Sequence, residues 1–206
     1  ISYVTGVNSF EYTEYTGGNS GAASTDYGDN ATAPEDRLED TNSDNIAAFL
    51  GNNNLNNIID GEGRDFSMDL RFNTLIKKDN SGLDNLFFWE RGMNSDLTIQ
   101  AINQEGELIG NVIRLNRKSK KGSSQENAGF KINTQEIRGA QKVGSWGVSL
   151  DDLGVNNLRG VRISADRKHG GPDFKVIARR KVPEPTTLIG LGSVAALAFF
   201  RRRKSK

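Results

Sequence analysis

A period-two alternation of apolar and polar residues is the feature that most restricts how this chain can fold. The alternation occurs in five separate segments, which begin at Phe66, Leu97, Trp146, Val161 and Phe174. A segment of this kind places one face on a core and the other toward water, as in the strands of an antiparallel sheet. The pattern therefore predicts an all-β protein.

Shorter signals add strands at residues 86–90, 108–115 and 130–137, with one or two more before residue 15. The apolar run at 86–89 does not alternate, so it predicts a central strand that is buried on both faces. Turns rich in Gly and Asn separate the segments, which is typical of an antiparallel β-sandwich, here predicted to be jelly-roll-like. One short helix is expected over residues 45–50, with Asp44 as its N-cap and Gly51 just after its end.

The predicted core consists of the apolar residues that share the inward face of these strands. They are Phe66, Met68, Leu70, Phe88, Ile99, Trp146, Val148, Val161, Ile163, Phe174 and Val176.

Charge is distributed unevenly along the 206 residues, although the formal net charge is only +1. Residues 1–60 contain ten acidic residues and one basic residue, Arg37, whereas basic residues prevail afterwards. This balance argues against nucleic-acid binding. Calcium accepts many oxygen ligands from irregular loops, so the acidic part is a candidate calcium site, with a solvated loop as the alternative because EF-hand spacing is absent. The candidate ligands are Asp26, Asp29, Asp36, Asp40 and Asp44.

Few residues in the sequence suggest catalysis. The chain has no cysteine and one histidine, His169, which argues against a zinc site. His169 lies in His-Gly-Gly-Pro, but no Gly-x-Ser-x-Gly accompanies it, so a histidine in a turn is favoured over a hydrolase triad. Glu90 and Asp96 flank the Gly92 turn and are the best available pair for glycoside hydrolysis. We assign no catalytic residue and expect a protein that is not an enzyme.

Residues 182–206 contain three parts in a fixed order: a Pro-Glu-Pro motif, an uncharged run at 186–200 and a basic end. The run predicts a single hydrophobic helix, somewhat short for a permanent membrane span, and the basic end is typical of a stop-transfer signal. The motif residues are Pro183, Glu184 and Pro185; the anchor residues are Leu188, Ile189, Leu191, Val194, Leu197, Phe199 and Phe200; the stop-transfer residues are Arg201, Arg202, Arg203 and Lys204.

These three parts together resemble the PEP-CTERM sorting domain. The resemblance implies recognition by an exosortase, a membrane-embedded transpeptidase, followed by cleavage near Pro-Glu-Pro and delivery to the bacterial surface or extracellular matrix. It covers only residues 182–206, so residues 1–181 are expected to form a separate exported domain. Within that domain, residues 89–97 and 170–174 resemble motifs of a family of exosortase-dependent surface proteins, and this second resemblance implies no activity.

The sequence thus predicts an exported surface or matrix protein with a structural, adhesive or polysaccharide-binding role. The alternative is a carbohydrate-active hydrolase that carries the same sorting tail. The expected partners are an exosortase, the membrane through a transient anchor, and extracellular polysaccharide. Because no start methionine or signal peptide is visible, we expect that a signal peptide has been cut off or omitted, with a start site lost by truncation as the alternative.

Overall fold

A computed structural model describes residues 1–12, 24–25, 43–55, 57–61, 65–117, 124–133 and 139–180. One helix, α1 (Ser43–Leu50), and a 3₁₀ turn (Arg167–His169) accompany the strands in this part of the chain. The strands are β1 (Val4–Tyr12), β2 (Ser24–Thr25), β3 (Ile59–Asp60), β4 (Phe66–Lys77), β5 (Leu86–Arg91), β6 (Leu97–Ile102), β7 (Leu108–Leu115), β8 (Glu126–Ile132), β9 (Gln141–Val148), β10 (Asn157–Ala165) and β11 (Asp173–Ala178).

The strands form two antiparallel sheets. A five-stranded sheet has the order β1-β4-β10-β6-β7, and a six-stranded sheet has the order β2-β3-β11-β5-β9-β8. The chain crosses between the sheets from β4 to β5, from β5 to β6 and from β10 to β11, so strands close in sequence lie in opposite layers. This architecture confirms the predicted antiparallel β-sandwich.

The core lies between the two sheets, where alternation directs the apolar side chains. Every predicted core residue is buried. Phe66 of β4 and Phe174 of β11 stack across the layers, with ring centroids 6.1 Å apart and planes 10° from parallel. Such pairs contribute beyond the area that they bury, so this stack is one of the contacts that join the sheets.

Three local predictions are wrong in detail. β5 is central in its sheet, but Phe87 and Trp89 are only half-buried on its outer face, because β9 places the small residues Gly147 and Ser145 beside them. β8 begins at Glu126, earlier than expected, because an irregular register between Asn127 and Lys131 interrupts the alternation. α1 begins at Ser43, so Asp44 lies in its first turn and is not its N-cap.

A buried lysine joins α1 to the six-stranded sheet. Lys175 of β11 is fully buried, and its Nζ donates to the carbonyl oxygens of Phe49 at 2.6 Å and Asn57 at 3.0 Å. Burial lowers the pKa of Lys175 to about 7. The Oδ1 of Asn52 is a third acceptor, at 3.4 Å. The ammonium form of lysine has three hydrogens to donate and the neutral amine has two, so three acceptors favour the charged form. A cation at the C-terminal end of a helix also complements the helix dipole.

The predicted C-terminal helix at residues 186–200 lies outside the described residues, as does the whole segment from 181 onward. Among the helices that the structure describes, none is long and apolar enough to cross a membrane.

Candidate functional site

Two segments that are distant in sequence meet at one end of the sandwich. The end of β5 pairs with the start of β11, where Arg91 donates to the Oδ2 of Asp173 at 3.0 Å. The Ser95 hydroxyl donates to the Gly170 carbonyl at 2.9 Å, and the Asp96 N–H donates to the His169 carbonyl at 2.8 Å. We call residues 89–97 and 169–174 the end cluster. It contains the two segments, 89–97 and 170–174, that were singled out in the sequence.

Asp96 anchors the end cluster to the end of β7. Its Oδ2 accepts from the Arg114 guanidinium at 2.7 Å, and its Oδ1 accepts from the Arg117 N–H at 2.7 Å. Burial by itself would raise the pKa of Asp96, but these hydrogen bonds outweigh it and the pKa is lowered. Asp96 is therefore a charged group whose two oxygens are both engaged by the protein.

Glu90 is a buried carboxyl group with an incomplete set of partners. It is fully buried, and its Oε2 accepts from Gln125 Nε2 at 2.8 Å. Burial raises the pKa of Glu90 to about 8, against the opposing effect of the Gln125 hydrogen bond. Met93, Asn94 and Ser95 also favour the charged form, yet none of them completes a hydrogen bond to Oε1.

The unpartnered atoms around Glu90 indicate its protonation state. Glu90 Oε1 and Gln125 Oε1 are both buried acceptors without a hydrogen-bond partner among the described residues. A buried acceptor without a donor destabilises the fold. A proton on Glu90 Oε1 turns that atom into a donor and leaves a neutral acid–amide pair that is joined by the hydrogen bond from Gln125. The geometry and the raised pKa thus both favour a neutral Glu90 at pH 7.

His169 closes the 3₁₀ turn against β6. Its Nδ1 lies 2.7 Å from Asp166 Oδ1 and 3.0 Å from the Asp166 backbone nitrogen, and its Nε2 lies 3.1 Å from Thr98 Oγ1. The imidazole lowers the pKa of Asp166. The order hydroxyl, imidazole, carboxylate is that of a hydrolase triad, with threonine in place of serine. His169 is only 5% exposed and forms a capping box with Asp166, so the arrangement orders the turn.

The remaining sequence-predicted sites lie largely outside the described residues. Among the calcium candidates only Asp44 is described, and it is exposed on α1; Asp26, Asp29, Asp36 and Asp40 are not described. No group of three or more potential metal-ligating side chains occurs within the described ranges. The Pro-Glu-Pro motif, the anchor residues and the stop-transfer cluster likewise lie beyond residue 180.

Sequence reasoning missed a pocket on the outer face of the five-stranded sheet. It has a volume of about 60 Å³ and lies between β1, β4, β10 and the turn after β6, and Arg71, Arg159 and Glu105 are among its lining residues. The alternation places Arg71 on the solvent side of β4, but no sequence signal brings Arg159 or Glu105 to it. Only the pairing of Gly160 with both Arg71 and Ile102 assembles these residues.

Comparison with known proteins identifies the C-terminal segment. Residues 181–204 match the PEP-CTERM protein-sorting motif. This match confirms the predicted sorting tail and indicates exosortase-dependent sorting of an exported protein toward the cell surface. No curated protein and no solved structure gave a significant match to the chain.

Proposed function

We propose that this chain, which ends in a PEP-CTERM sorting motif, is a protein of the bacterial surface or extracellular matrix with a structural or adhesive role through polysaccharide binding. The tail serves as a transient membrane anchor until an exosortase cleaves it near Pro183–Pro185. The motif at residues 181–204 is the observation that carries the proposal.

The internal contacts and the burial of the end cluster argue against catalysis by its residues. A general acid or base must come within hydrogen-bond reach of the substrate atom that it serves. Asp96 is held by two arginines, and His169 is held by Asp166 and Thr98. Glu90 is fully buried. Each group therefore has an internal partner or no surface on which to meet a substrate, which favours a rigid scaffold.

One observation favours the alternative, a carbohydrate-active hydrolase with the same tail. A carboxyl group that stays neutral at pH 7 is what a glycosidase needs as its general acid, and Glu90 has a pKa raised to about 8. Its partner in such a mechanism would be the ionised Asp96. The burial of both carboxyl groups opposes this reading.

A paired screen separates the two functions. The full chain is incubated with a panel of bacterial and plant polysaccharides, and binding by affinity electrophoresis is compared with release of reducing ends. We expect retardation by at least one polymer without turnover. Reducing ends that appear with the protein and disappear with Glu90→Gln would instead establish the hydrolase. If the chain shows no retardation and no turnover with any polymer of the panel, both functions are contradicted.

A further inference from the structure

The pocket on the outer face of the five-stranded sheet contains cationic groups that form no ion pair within the described part of the chain. Arg159 Nε is buried and has no hydrogen-bond partner among the described residues. Neither Arg159 nor Arg71 forms an ion pair with a described carboxylate, whereas the next arginine on β10, Arg162, is held by Asp69 at 2.6 and 2.8 Å. A buried guanidinium N–H without an acceptor is costly, and an anion beside the rest of the Arg159 guanidinium would offset that cost electrostatically.

The rim of the pocket is held rigid before any ligand arrives. The turn after β6 is closed by Asn103 N–H donating to the Glu107 carbonyl at 2.9 Å and by Glu107 N–H donating to Asn103 Oδ1 at 2.8 Å. Asn103 Nδ2 also donates to Glu107 Oε2 at 3.0 Å. A binding wall that is already ordered avoids the entropic cost of ordering it on binding. Gln104 and Glu105 of this turn therefore face the pocket from a fixed backbone.

The floor of the pocket depends on a glycine. A Cβ at Gly160 would lie 2.2 Å from the Leu70 carbonyl oxygen, which is closer than real Cβ contacts allow. Glycine at this position therefore lets β10 pair closely with β4 beside Arg71. At about 60 Å³ the pocket is well below the usual range for small-molecule sites, so it has room for a single small charged group and not for a whole sugar ring.

We infer that this pocket binds the carboxylate group of a sugar unit of an acidic polysaccharide, with Arg71 and Arg159 contacting the carboxylate and the sugar ring lying outside the cavity. Guanidinium groups match carboxylates in shape and form strong charge-assisted hydrogen bonds with them. Amide groups at Asn8 and Gln104, which also line the pocket, can hydrogen-bond to sugar hydroxyls. The inference rests on the proposed polysaccharide-binding function and specifies its site and its ligand class.

The test uses the full chain and polygalacturonate, with methyl-esterified polygalacturonate as the matched neutral polymer. Affinities are measured by isothermal titration calorimetry for the parent and for Arg71→Gln, Arg159→Gln and the double variant. Each single change should weaken binding about tenfold, because each removes a charge-assisted contact. Glu105→Gln, which removes a negative charge from the lining, should tighten binding. Arg180→Gln serves as the control, since Arg180 is exposed and follows β11 in the other sheet.

The outcomes separate the pocket from the broader function. Loss of affinity in the Arg71 and Arg159 variants, with parent-like binding by Arg180→Gln and weak binding of the ester, supports the pocket. Equal affinity of all variants for polygalacturonate would overturn the pocket and leave polysaccharide binding intact. A parent chain that prefers the ester would overturn the carboxylate preference. A parent chain that binds no polymer of the panel would overturn the proposed function itself.

Discussion

Replacing Glu90 with glutamine should leave stability near that of the parent at pH 5 and raise it by about 3–5 kcal/mol at pH 9. Glutamine has the shape of the neutral acid, and its Oε1 can accept from Gln125 Nε2 as Glu90 Oε2 does. The variant therefore keeps the acid–amide geometry at every pH, whereas the parent keeps it only while Glu90 holds its proton.

The direction of this effect follows from the pKa of Glu90, which is raised from 4.5 to about 8 in the folded protein. Between these two values the folded state keeps a proton that the unfolded state has released, so raising the pH favours unfolding. The stabilising contribution of Glu90 is complete below pH 4.5 and is lost as the pH rises through about 8. Lys175, whose pKa is lowered to about 7, acts in the opposite direction above neutrality but equally in both proteins.

Urea denaturation at pH 5, 7 and 9 measures the difference directly, because the contribution of Lys175 cancels between parent and variant. Glu126→Gln is the matched control, since Glu126 is exposed on β8, and it should follow the parent at all three values. Parallel stability curves for the parent and Glu90→Gln across this range would contradict a neutral buried Glu90.

Phe174→Ala should lower the free energy of unfolding by about 3–5 kcal/mol. Phe174 is fully buried and stacks on Phe66 across the two sheets. Its removal therefore leaves a cavity between the layers and also removes the aromatic contact. A loss of this size is a large fraction of the about 5–15 kcal/mol that stabilises a typical domain.

The control for this change is Phe130→Ala on β8, where the phenyl ring is 38% exposed. It should cost well under half as much, because little of the vacated space lies in the core. Midpoints and slopes of urea unfolding give both values. Equal losses at the two positions, or no loss at Phe174, would show that the Phe66–Phe174 stack does not join the sheets as described.

Most of the sandwich could be predicted because strand alternation is a local signal that directly reflects burial. Phe66, Ile99 and Val161 are all buried where the pattern placed them. Strand bounds were less reliable where the pattern breaks, as at β8, whose irregular register lies around Gly129.

The polar contacts could not be predicted, because they depend on residues that only the topology brings together. Lys175 occupies a position that alternation assigns to solvent, yet the carbonyls of Phe49 and Asn57 enclose its ammonium group. Glu90 and Gln125 are 35 positions apart, and nothing in either local sequence indicates the other. Glu90 and Asp96 were selected as a pair from the turn between them, but the structure gives them different partners and opposite pKa shifts.

The sorting tail could be recognised from sequence alone because its three parts occur in a fixed order within one short segment. The sequence itself fixes that order, so the tail can be recognised without knowledge of the fold. The match at residues 181–204 confirms it, while the function of the domain before it depends on surfaces that only the fold assembles.

Intact-mass measurement on the native protein, recovered from its own cell surface and extracellular matrix, tests the sorting claim most directly. The account predicts a mass that lacks the segment after Pro183–Pro185, since an exosortase would cleave there before release. Recovery of the full chain through Lys206 from the matrix fraction would contradict it.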